Sequence, residues 1–144
     1  GKYAKEIEFL ESKAFQIINL GNELEAASSI KMCYASLTKG TNALWVSLLL
    51  LSKKLNIYDE LIEELNYSQK DSITKMKNQI PRLPSKSGRW IAEMREIACT
   101  YKSQNLHSGS FDNSAYIYNL LSLIENNNIK DLSNIIAELN INTE

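Results

Sequence analysis

The stretch AASSIKMCYASLTKGTNALWVSLLLL, residues 26–51, decides how the chain is read. Ile30, Cys33, Leu37, Leu44, Leu48 and Leu51 recur at helical spacing, and Leu55 continues the series. Ser28 and Ser29 offer N-caps, so the spacing predicts one helix over about residues 28–55. At 1.5 Å per residue it would be about 40 Å long. From Leu44 to Leu51 it is apolar nearly all round, which predicts burial on most sides. Such a helix suits the centre of a bundle, or a bundle that also packs against a second subunit.

Working outward, Asn22 and Glu25 have capping-box spacing. Before them, residues 2–13 place Tyr3, Ile7 and Leu10 on one helical face, and AFQIINLG (residues 14–21) alternates like a short strand. A single strand cannot satisfy its own backbone. The helix–strand opening therefore reads as the edge of a sheet domain lying elsewhere, with an all-α domain over residues 22–144. Downstream, helical patterns cover residues 59–65 and 70–79, and PRLPSKSG acts as a breaker. Ser87 caps a helix over residues 88–103. NLHSGSFDN is a loop, Asp112 or Asn113 opens a helix to residue 124, and Asn128 with Asp131 opens a last one to about residue 139. The expected fold is an all-α bundle on one long central helix, preceded by that short remnant.

Composition narrows the function classes. The 144 residues are 44% hydrophobic and 23% charged, with a net charge of −1. That balance gives no electrostatic reason to expect nucleic acid or a membrane surface as partner. The longest apolar run is too short to cross a bilayer, which takes about 20 residues. Cys33 and Cys99 form no ligand-spaced cluster with the single histidine, His107, so no metal site is expected. Both cysteines sit among apolar neighbours and read as buried free thiols in a cytoplasmic protein.

Two constellations carry chemistry. A helix starting near Ser28 places Lys31 at its positive end, where a cation is mildly disfavoured. A lysine so placed suits acid–base work or polarisation of a carbonyl. Lys31, Ala35, Thr38 and Asn42 form a small, polar line that suits a cleft wall. An ordinary solvated lysine is the competing explanation. Arg89, Glu93 and Glu96 share a helical face, either as a surface ion pair or as a charged wall of a substrate site.

Three segments resemble one family. Ala27, Ser28, Lys31, Met32, Thr38, Lys39 and Gly40 form the first. Arg82, Pro84, Arg89, Trp90, Glu93, Met94, Glu96, Ile97 and Ala98 form the second. Gly109, Phe111, Ala115 and Tyr118 form a looser third. Together they resemble the C-terminal helical domain of NAD(P)-dependent dehydrogenases of the β-hydroxyacid dehydrogenase superfamily, in the phosphogluconate-dehydrogenase-like branch. The resemblance implies that residues 1–21 are the edge of a Rossmann domain missing from this chain. That domain would bind most of the NAD or NADP. Lys31 would be the catalytic lysine, acting on the substrate oxygen while hydride moves to or from the nicotinamide. Ser28, Thr38, Arg89 and Glu93 would contact a small-molecule substrate, and the intact enzyme would be a homodimer. The superfamily pattern departs here at its glycines, replaced by Asn22, Glu25 and Ala27, and at an asparagine replaced by Ala35. The alternative is a non-catalytic helical interaction domain that keeps the packing residues.

Overall fold

The computed structural model describes residues 4–12, 14, 16–21, 23, 25–124 and 131–141. The described residues form six α-helices: α1 (Ala26–Lys54), α2 (Tyr58–Ser68), α3 (Lys70–Gln79), α4 (Pro84–Ser103), α5 (Gly109–Ser122) and α6 (Leu132–Ile141). Two 3-10 helices, Ala4–Leu10 and Ile80–Arg82, complete the regular structure. The fold is an all-α bundle, as expected. It divides into two compact units, Gly1–Tyr34 and Ala35–Glu144.

In the first unit, Ala4–Leu10 is a 3-10 helix rather than an α-helix, and Ile7, Phe9 and Leu10 are exposed. Residues 16–20 carry no strand. The strand expected over residues 14–21 is therefore not formed over 16–20, where an extended segment outside a sheet leaves its N–H and C=O groups to water. The Asn22 cap and Tyr3 lie outside the described residues.

The second unit is built on helices whose apolar residues recur at three and four. In α6, Leu132, Ile135, Ile136 and Leu139 are all buried. Asp131 caps this helix, accepting the Asn134 N–H at 2.9 Å, as its sequence position predicts. Helix α6 meets the Ile80–Arg82 turn, where Ile80 and nearby Leu83 are buried. Helices α4 and α5 pack as a hairpin, burying Met94, Ile97 and Ala98 together with Ala115, Tyr118 and Leu121.

Five expectations change. The two prolines do not break the chain between residues 81 and 88. Pro81 sits at the start of the 3-10 turn and Pro84 opens α4. A helix's first residues need no amide donor, so proline is accommodated there. Ser87 is consequently inside α4 and buried, donating to the Leu83 carbonyl at 2.8 Å rather than capping. Helix α5 begins at Gly109, ahead of Asp112. Cys33 and Cys99 are free but exposed, because each falls on an outward-facing turn of its helix. Finally, α1 is not buried on most sides. Ala43, Val46, Leu49 and Leu50 are buried, while Leu44 is 62% exposed and Leu51 57%.

The stops of α1 and α4 are alike. Asn56 and Asn105 have φ of 57° and 58°, the left-handed region. After α1, the Asn56 N–H reaches the Lys53 carbonyl and the Ile57 N–H the Ser52 carbonyl, at 3.1 and 3.0 Å. After α4, the Asn105 N–H reaches Lys102 and the Leu106 N–H Tyr101, at 3.1 and 2.9 Å. Both are Schellman closures with asparagine at the position glycine usually takes. No described helix is long and apolar enough to cross a membrane.

Candidate functional site

The polar centre of the second unit lies where α1, α4 and α5 meet. Lys39 of α1 pairs its ammonium with Glu93 Oε1 of α4, and each side chain is about four-fifths buried (18% and 19% exposed). The Lys39 Nζ also sits 5.4 Å from the centre of the Trp90 ring, within cation–π range. Trp90 meets Tyr118 of α5 edge-on, centroids 5.3 Å apart at 80°. Tyr118 is fully buried and its hydroxyl donates to the Lys39 main-chain carbonyl at 2.7 Å.

Local sequence explains the placement. Trp90 and Glu93 are three apart on α4, so they share a face. Gly40 follows Lys39, and a Cβ there would stand 3.4 Å from the Phe111 ring of α5. That is an ordinary contact, so the gap between α1 and α5 takes a methyl group but nothing much larger, and Phe111 in turn packs tilted at 4.5 Å on Tyr101 of α4. Helix α1 is thereby held by a charge pair to α4 and a hydrogen bond to α5.

The electrostatics are those of a neutral, aromatic-walled lock. Burial pushes the Tyr118 hydroxyl well above the usual tyrosine range, and the Glu93 charge adds to this. Tyr118 therefore keeps its proton and acts as a fixed donor. A second polar contact flanks the α4–α5 turn. Ser108 donates to Asp112 Oδ2 at 2.7 Å and Lys102 lies 3.4 Å from the same oxygen. The Ser108 hydrogen bond, then Lys102, holds the Asp112 carboxyl below the usual range.

The residues singled out in the sequence fall as follows. Lys31 and Ser28 lie on exposed turns of α1 in the first unit. Thr38 is half-buried, Arg89 exposed and Glu93 mostly buried, all in the second unit. Glu93 takes Lys39 as its cation; Arg89 and Glu96 point to solvent. The line running through Ala35, Thr38 and Asn42 is no open wall, since Ala35 and Asn42 are buried. The Asn42 side-chain oxygen has no hydrogen-bond partner among the described residues. His107 is exposed in the α4–α5 loop. No group of metal-binding side chains occurs among the described residues.

Spacing alone did not find Lys39, Trp90 or Tyr118 as one cluster. The signal was in the three family-like segments, since Lys39 and Gly40, Trp90 and Glu93, and Phe111 and Tyr118 come one pair from each. Segments that look unrelated along the chain converge on one spot.

Residues 53–121 match the model of a family described as a domain of unknown function, DUF1932. That family is the C-terminal helical domain found in NAD(P)-dependent 3-hydroxyisobutyrate/6-phosphogluconate-dehydrogenase-like proteins. The matched span runs from the last turn of α1 almost to the end of α5, and includes Trp90, Glu93 and Tyr118. No curated protein and no solved structure matches the chain.

Proposed function

We propose that this chain is the C-terminal domain of an NAD(P)-dependent hydroxyacid-type oxidoreductase, with Lys31 as its acid–base residue. The carrying observation is the meeting of the three family-like segments at Lys39, Trp90, Glu93 and Tyr118, two of them inside the DUF1932 match. Residues that merely tolerate one another on a surface have no need to converge.

The division of labour follows from the residues present. A dinucleotide is held by a glycine-rich turn between a strand and a helix. The described residues contain no such turn, so they do not fit NAD or NADP as its principal holder, and the Rossmann domain of the intact enzyme takes that part. This chain's share is Lys31, a lysine that can give or take a proton at the substrate oxygen. Arg89, exposed on α4, supplies a charge for an acidic small-molecule substrate.

The test is Lys31→Ala in the intact oxidoreductase. Loss of a positioned acid–base group lowers kcat by about 10²–10⁴-fold. The helical circular dichroism should stay unchanged. A variant with the wild-type rate would sink the assignment. A second reading, a non-catalytic interaction domain, is favoured by the exposed leucines of α1, and it predicts unaltered partner binding by that same variant.

A further inference from the structure

Asn42 of α1 is 7% exposed, and its Oδ1 atom is buried with no hydrogen-bond partner among the described residues. A buried acceptor left without a donor lowers stability, and folded chains rarely keep one. A source of donors stands one turn earlier on the same helix, at Lys39. Side chains of an α-helix lean toward its N-terminus, so that of Asn42 lies over the turn that carries Thr38 and Lys39. Residues three apart on a helix have Cβ atoms about 5–6 Å apart, a gap the flexible lysine stem spans. An ammonium also has three donors to give. Here that ammonium is paired with Glu93 and stands 5.4 Å from the centre of the Trp90 ring.

We propose that Lys39 is a two-position cation. Its ammonium sits on Glu93 in the structure and swings to Asn42 Oδ1 when another donor, such as a ligand hydroxyl, takes the Glu93 carboxylate. The inference stands whether or not Lys31 is catalytic. Three observations favour Asn42 over bulk water as the second position. The Lys39 side chain is only 18% exposed, so a swing fully into solvent would uncover its apolar stem. Asn42 makes no hydrogen bond through Oδ1 in the first position, so the second one adds a bond and breaks none there. The Lys39 main chain is clamped, because its carbonyl accepts from Tyr118, so side-chain torsions alone carry the ammonium across. The charges around the pair do not compete for it. Glu93 is the ion-pair partner of Lys39, Tyr118 keeps its proton, and Arg89 and Glu96 point to solvent. The device lets Glu93 accept from a ligand without stranding a cation in a mostly dry site, where an unpaired charge is strongly destabilising.

Urea unfolding of the full chain tests this through coupling between the residues. Asn42→Leu removes the acceptor at similar volume. It should shift the urea midpoint further downward in a Glu93→Leu background than in the otherwise unaltered chain, because only there does Lys39 depend on Asn42. In a Lys39→Met/Glu93→Leu background that extra fall should vanish. An equal effect of Asn42→Leu with and without Glu93 overturns the proposal, since the ammonium then goes to water. An extra fall that survives the loss of Lys39 also overturns it, and marks a trapped water as the donor. Should Glu93→Leu fail to fold, Glu93→Ala read by carbon NMR still decides. The Asn42 side-chain carbonyl resonance, assigned by its loss in Asn42→Leu, should move downfield in Glu93→Ala and return in Lys39→Met/Glu93→Ala. A resonance that stays in place in Glu93→Ala overturns the proposal.

Discussion

The Tyr118 hydroxyl of α5 reaches across to the main-chain carbonyl of Lys39 in α1, 2.7 Å away. The contact ties a helix to a carbonyl that no side-chain substitution at position 39 can remove. Tyr118→Phe should therefore cost about 1 kcal/mol in urea unfolding, the net worth of one such bond.

The same residue sets an alkaline limit. Its folded pKa lies above its unfolded value, so its stabilising contribution is complete below about pH 10 and is lost as pH rises beyond that. Tyr58, also raised mainly by burial, adds with the same sign. Urea midpoints should fall between pH 9.5 and pH 11, estimated from the usual tyrosine range. The fall should be shallower in Tyr118→Phe. Identical slopes in the two proteins would refute this.

The Lys39–Glu93 pair should behave as a buried pair does. Removing one partner by Lys39→Met leaves a carboxylate in a mostly dry site, costing about 2–4 kcal/mol, tempered by the water that still reaches the pair. Lys39→Met/Glu93→Leu should recover much of that loss. A double-mutant cycle by thermal unfolding checks it, and additive losses would show that the two side chains are not coupled.

Gly40 is a test of how tightly α5 sits on α1. Alanine there gains helix propensity worth about 1 kcal/mol. Its Cβ would meet Phe111 at 3.4 Å, an ordinary contact. Gly40→Ala should be neutral to stabilising. Gly40→Leu should cost about 1–3 kcal/mol by displacing the ring. Chemical denaturation of both variants separates the two effects.

At the helix stops, Asn56→Gly and Asn105→Gly should each stabilise by up to about 1 kcal/mol, because glycine enters the left-handed region freely. Alanine at either position should destabilise by a similar amount. Melting temperatures of the four variants, ranked Gly above Asn above Ala, are the expected outcome.

Much of the bundle is written in local periodicity. The row Leu132, Ile135, Ile136, Leu139 announces α6, and Asp131 announces its start. Helices α2 and α3 follow the same logic, because a helix satisfies its own backbone and needs only one apolar face. What periodicity cannot give is partnership. An apolar run such as Ala43–Leu51 shows that α1 is oily on two faces, not which face meets the core. Nor can it place Lys39 beside Glu93, 54 residues away. Proline is ambiguous in the same way: the same residue ends a helix from inside and opens one at its first position, and only the three-dimensional path tells which. For the candidate site, the three family-like segments supplied the residues and the fold supplied their meeting.

The two-sided character of α1 has a thermodynamic corollary. Its inner residues Ala43, Val46, Leu49 and Leu50 leave water only in the folded chain, whereas Leu44 and Leu51 stay largely hydrated before and after folding. The folding equilibrium is therefore nearly blind to the outer pair: polar residues at Leu44 or Leu51 leave the unfolding midpoint almost where it was, and the same residues at Val46 or Leu49 displace it.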